Sequence, residues 1–236
     1  AALTGRAMSA AAAARRAAVS PDWDLPRPLV EAGPALSVYA AMGGPLDSIL
    51  PLAEGIEYTI NQALPRNERL GVSLDLLGRP ATLVFPMIVM PAIRNLSGGG
   101  DWLLDAQARF AGGDRTAADR VLHPVGGSRQ PPDPATMTFD TSLPIARLLT
   151  AAGDTAGAIR WLDQSLASVR FRDHAKFGDP VEVATLVRAM MLRATLAAET
   201  GDRTQARRWA SAVVALWNQA EAAFQQDVQQ MRDLAD

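Results

Sequence analysis

Cysteine is absent from this chain of 236 residues. Disulfides, thiolate metal sites and cysteine nucleophiles are therefore excluded, although the choice between cytoplasm and periplasm stays open. Histidine is almost absent, with His123 and His174 alone. Neither has a second histidine at helical ligand spacing, so no metal site is expected. Lys176 is the only lysine. Arginine carries the remaining positive charge, which reads, like the alanine excess, as the coding bias of a GC-rich bacterium. Gly98-Gly99-Gly100 precedes a helix but lacks both a phosphate-loop lysine and Gly-x-Gly-x-x-Gly spacing. It reads as a joint with Asp101 as helix cap, and no cofactor is expected. No Gly-x-Ser-x-Gly elbow is present either.

Long hydrophobic runs are missing too. The longest, Pro80 to Ile93, contains Pro86 and Pro91 and falls short of the ~20 residues a spanning helix needs. It reads as a buried, proline-interrupted helix pair or a helix plus a strand. Membrane contact is expected only through a segment outside this chain. Ala1 to Arg6 lack the apolar stretch of a signal peptide and the chain lacks an initiator methionine, so it reads as processed or cut from something longer. The net charge of −2 and pI of about 5.7 give no general attraction to nucleic acid.

What the chain does have is 48% apolar residues, enough for a sizeable core, and a repeated phrase. Ala106, Gly113-Asp114 and Ala118 recur in the same spacing as Ala146, Gly153-Asp154, Ala158 and as Ala194, Gly201-Asp202, Ala206. A glycine just past a helix end adopts the left-handed conformation at little cost and reverses the chain. The aspartate after it caps the next helix. The alanines on either side let the two helices approach closely. The pattern predicts helices over Trp102 to Ala111, Thr138 to Ala152, Thr155 to Val169, Val181 to Thr200 and Arg203 to about Gln226, with a polar capping helix or tail over Gln225 to Asp236. Leu186, Val187, Met190, Ala194 and Ala197 form one apolar stripe. Ala206, Trp209, Ala210, Val213, Trp217, Ala220 and Phe224 form its partner. Trp161 and Trp209, each three residues after the repeat alanine, are expected in the hairpin core.

The glycine turn, the small residue on the second helix and the bulky residues Leu122, Trp161-Leu162 and Trp209 resemble tetratricopeptide-like repeats. The Gly-to-Gly separations are 40 (153−113) and 48 (201−153), against ~34 in that family. The wording from Leu148 to Asp154 is also similar to C-terminal repeat regions of some bacterial serine/threonine kinases and regulators, without any kinase catalytic motif. The resemblance implies an all-α fold, a superhelix of antiparallel helical hairpins over residues 101–236. Residues 1–100 make an irregular helical N-terminal half, in which Leu29 to Met42 reads as a helix ended by Gly43-Gly44-Pro45.

The expected function is recognition of a protein or peptide partner, not catalysis. The chain then serves as an accessory or regulatory domain of a larger protein or assembly. The candidate groove residues are Arg147, Arg188 and Arg193 on the first helices, with Arg170, Arg172 and Lys176 in a basic loop. Two alternatives stand beside it. One is a small-molecule sensor with a pocket among Trp23, Tyr39 and Tyr58. The other is an all-α enzyme using Glu54 or Glu57, which lie three apart on one expected helix.

Overall fold

The computed structural model describes residues 38–39, 41–43, 102–116, 133–169 and 180–236. Among these residues the structure is all-helical, without a strand. In chain order the helices are α1 (Trp102–Ala111), α2 (Phe139–Ala151), α3 (Thr155–Ala167), α4 (Pro180–Glu199), α5 (Arg203–Trp217) and α6 (Gln225–Ala235), with a short 3-10 turn at Ala222–Phe224 before α6. Residues 38, 39 and 41 form the end of a further helix that closes at Gly43, where glycine and proline predicted a stop.

The three repeat glycines take φ values of 98° at Gly113, 90° at Gly153 and 82° at Gly201. The bonds around them are the same each time. Gly153 N–H donates to Thr150 O at 3.0 Å and Asp154 N–H to Leu149 O at 2.9 Å. Gly201 donates to Ala198 O, Asp202 to Ala197 O, Gly113 to Phe110 O and Asp114 to Arg109 O in the identical register. This double bond pattern satisfies the last carbonyls of the helix and turns the chain with one left-handed residue. The aspartate then opens the next helix: Asp154 Oδ1 accepts from Gly157 N at 2.7 Å, and Asp202 Oδ1 from Gln205 N at 3.1 Å.

Because the reversal is so tight, α2 and α3 pack as one hairpin and α4 and α5 as another. The alanines flanking each turn sit at the contact. Ala146, Ala158, Ala194 and Ala206 are all buried. Helix α4 packs against α2, α3, α5 and α6, so it is covered on nearly every side. Val183, Ala184, Val187, Ala189, Met190, Met191, Ala194, Leu196 and Ala197 are buried together. Periodicity predicts a stripe there, and the middle position in the stack turns that stripe into an almost complete sheath.

The expected helix from Arg203 to about Gln226 stops instead at Trp217. In an unbroken helix Trp217 and Phe224 would lie about 10 Å apart along the axis. The break folds α6 back onto α5 and brings their rings to 5.4 Å. Val228 and Met231 of α6 join the same core, so the polar C-terminal stretch is a capping helix.

The start of α2 is held from a distance. Its N-cap Thr138 makes no side-chain cap bond. Glu182 of α4 substitutes for it, with Oε2 accepting from Phe139 N at 2.7 Å. Burial raises the Glu182 carboxyl well above its ordinary 4.5, to about 7; the Phe139 N–H pulls it down and the neighbouring Asp140 pushes it up. The folded state therefore holds this proton more tightly than the unfolded chain. The stabilisation is complete below about pH 4.5 and is lost as pH rises through 7. Glu182→Gln keeps the acceptor and removes the charge. The variant is expected to melt above wild type near pH 8, with the difference closing toward pH 4.5; a pH-independent difference would contradict the assignment. Gly201→Ala has open space around its added Cβ. Its cost is purely conformational, about 1 kcal/mol in urea unfolding, and Gly201→Asn is expected to lose less.

Candidate functional site

Arg188 and Arg193 are five residues apart on α4 and so project about 140° apart. They cannot line one surface, and the structure gives each its own site. Arg188 meets Arg147 of α2 and Asp227 of α6. Its Nη2 lies 2.8 Å from Asp227 Oδ2, its Nε donates to Met42 O, and its guanidinium sits 5.5 Å from the Trp217 ring centroid. Tyr39 packs edge-on against Phe224 at 5.3 Å. The helix end at residues 38–43 thus covers Arg188 and caps its last carbonyl with a cation. Gly43 takes a φ of +83°, which favours glycine, and an added Cβ would meet the Arg188 guanidinium and oblige it to shift.

Burial lowers the Arg147 guanidinium to about 10; Arg188 lowers it further and Asp227 opposes the shift. Burial also lowers Arg188, with Asp227 opposing. Among the described residues, two cations share one carboxylate in this cluster. Tyr39 is almost fully buried against Phe224, which makes it part of the core. The other sensor residues, Trp23 and Tyr58, lie outside the described residues, as do Glu54, Glu57, Arg170, Arg172 and Lys176.

Arg193 lies on the opposite side of α4, at the seam where the two hairpins meet. It is 4% exposed and makes a two-pronged bond to Asp163 of α3, Nε to Oδ1 at 2.7 Å and Nη2 to Oδ2 at 3.1 Å. Above this pair runs an open groove of about 490 Å³ between α3 and α5, lined by Asp163, Arg193, Asp202, Gln205, Arg208 and Trp209 among others. The Arg208 guanidinium stacks 4.9 Å from the Trp209 ring centroid. Arg193 Nη1 and Trp209 Nε1 are both buried without an acceptor.

Trp161 and Trp209 hold the same repeat position yet differ. Trp161 is core, as expected, and its Nε1 donates to Ser142 Oγ at 2.8 Å, with Ser165 Oγ 2.5 Å further on. Ser142 stands four before Ala146, and the matching place before Ala194 is Met190. Ser165 stands seven after Ala158, and the matching place after Ala206 is Val213. With both hydroxyls replaced, Trp209 has nothing to donate to, and it is only half-buried. Aligning the two hairpins residue by residue is the signal that finds this groove; residue type alone misses it.

Among the described residues no group of three or more His, Cys, Asp or Glu is placed to hold a metal ion, and no helix is long and apolar enough to cross a membrane. No family model, curated protein or solved structure matches the chain. The groove is therefore read from its own chemistry.

A double-mutant cycle tests the seam. Asp163→Ala strands the buried Arg193 cation. It is expected to cost about 2 kcal/mol, less than the 3–5 of a fully buried pair because the Asp163 side chain is 46% exposed. Asp163→Ala combined with Arg193→Met is expected to recover most of that loss in urea unfolding.

Proposed function

We propose that this chain is a protein-interaction domain, a TPR-like superhelix of helical hairpins. It holds a segment of a partner protein and serves as an accessory or regulatory part of a larger bacterial protein or assembly. The observation that carries this reading is the groove at the hairpin seam. Its walls come from consecutive hairpins, α3 and α5, and its floor from α4. Stacked hairpins make such grooves wherever neighbouring helices splay, and extended partner segments lie along them. An aromatic ring beside an arginine, both enriched at binding hot spots, adds to the case.

The repeat turns support the superhelical part. Three reversals share one hydrogen-bond register and one sign of φ, and α4 packs on both helices of the preceding hairpin. A stack propagates when each new first helix nests against the pair before it.

Peptide display against the folded chain tests the reading. Selected peptides are expected to bind one to one, and Trp209→Ala is expected to weaken them at least tenfold, about 1.4 kcal/mol, without lowering the melting temperature by more than a few degrees. Failure to recover any sequence-specific binder, together with a melting shift from a metabolite panel, would favour the sensor instead. Loss of a measured turnover in Glu57→Gln would favour the enzyme.

A further inference from the structure

We propose that the start of α2 is a latch between the two hairpins that works by exchanging one helix cap for another. In the closed arrangement Glu182 of α4 holds the cap. When Glu182 leaves for water, Thr138 takes the cap over and the end of the first hairpin parts from α4. The latch is independent of what the groove binds.

Helices α2 and α4 meet at their starts, where the first N–H groups of each lack an intrahelical acceptor. Glu182 answers that need for α2. It is buried, its Oε2 accepts from Phe139 N at 2.7 Å, and the N–H of Asp140 acts on it too. The local cap meanwhile stands unused. Thr138 occupies the N-cap position with the extended backbone that a capping residue needs, φ −72° and ψ 153°, yet its side chain caps nothing. Its hydroxyl donates instead to Asp140 Oδ1, in an exposed contact. A turn about χ1 would bring Thr138 Oγ1 to the N–H of Asp140 or Thr141, the two that an N-cap side chain ordinarily serves. The same stretch of chain thus holds two caps for one helix, one local and one borrowed from the next hairpin.

Charge sets the balance between them. Among the described residues Glu182 makes no ion pair. Of the elements packed on α4, α2 sets Asp140 against it, which opposes its ionisation. The Asp163 of α3 is taken by Arg193, and the Asp227 of α6 by Arg188 beside Arg147. The cations of α5, Arg203, Arg207 and Arg208, lie in its first turns, beside the far end of α4. Burial and Asp140 therefore hold the proton on Glu182 while the latch is closed, up to about 7 against an ordinary 4.5. In the open arrangement the carboxylate meets water in the first turn of α4, where negative charge is favoured. Opening releases a proton, so the closed cap is strongest below about pH 4.5 and weakens as pH rises to 7. The Asp163–Arg193 pair holds the seam further along, which confines the parting to the start of α2.

Amide hydrogen exchange of the full chain, followed by NMR between about pH 5 and 7, tests the latch. The Phe139 N–H is expected to lose protection about five- to tenfold per unit of pH, through an opening that leaves the buried Ala210 of α5 better protected. Glu182→Gln keeps an acceptor and removes the titration, and is expected to abolish the slope. Thr138→Val keeps the shape and removes the substitute cap. It destabilises the open arrangement more than the closed one, so Phe139 protection near neutral pH is expected to rise about fivefold. A flat profile in the wild type would overturn the proton linkage, and a slope that survives Glu182→Gln would overturn the role of Glu182. Equal protection at Phe139 and Ala210 would mean that α2 opens only with the whole fold, and would overturn the latch. Unchanged or lowered protection in Thr138→Val would overturn the exchange of caps.

Discussion

A short glycine-aspartate reversal that pairs end carbonyls of one helix and an N–H of the next sets the geometry of the described fold. Each repeat glycine reaches a positive φ that other residues adopt only under strain. The N–H of the glycine and that of the aspartate behind it close the outgoing helix, and the aspartate's carboxylate opens the incoming one where the turn is followed by α3 or α5. With so little chain between them the two helices must lie close. That spacing demands small side chains at the contact and places alanine on both sides of each turn. Larger residues there would open the hairpin and expose the core that stabilises it.

The stack then creates the second constraint. A helix in the middle, α4, is dry along most of its length, yet it carries Glu182, Thr185, Arg188 and Arg193. Burying such groups alone would cost several kcal/mol each. Glu182, Arg188 and Arg193 are placed where they answer a need of a neighbouring element, and Thr185 is satisfied within α4 itself. Glu182 closes the open end of α2. Thr185 bonds back to Val181 O at 2.8 Å. Arg188 joins the helix end at residues 38–43 to α6, and Arg193 joins α4 to α3. The polar groups on α4 act as fasteners between layers, and their geometry fixes which elements can meet. This gives specificity more than net stability, since apolar replacements of similar volume would pack as well.

Much of this was legible in the sequence because the signals are local. Gly153-Asp154 and Gly201-Asp202 announce turns by their own chemistry, and helix ends fall within two residues of where those dipeptides place them, apart from the end of α5. That end was not legible: Asn218 to Ala223 is mostly ordinary helix-forming sequence, and the break goes with the tertiary packing of α6 on α5, which sets Phe224 against Trp217. The candidate site divides in the same way. Arg188 and Arg193 could be singled out as charges on an apolar helix. Their partners Asp227 and Asp163, 39 and 30 positions away, follow from tertiary packing and have no local signal. Arg147 and Arg188 were expected in one groove with Arg193, and the helical angle between 188 and 193 separates them.

The two complete hairpins also show how a repeat can acquire a site without changing its architecture. In α2–α3, an indole, two serines and a tight turn form a closed set in which every donor has an acceptor. In α4–α5 the turn, the cap and the alanines persist, so the packing persists, but methionine and valine stand where the serines were. Those substitutions exchange two small hydroxyl side chains for larger apolar ones and delete the hydrogen-bonding capacity of the set. Folding tolerates the change because the turn and the alanine contacts, not the serines, hold the hairpin together. What is left over is a buried indole N–H without an acceptor, on a ring that stacks with Arg208. A repeat that is over-determined by its turns can give up internal polar contacts one at a time without changing its architecture.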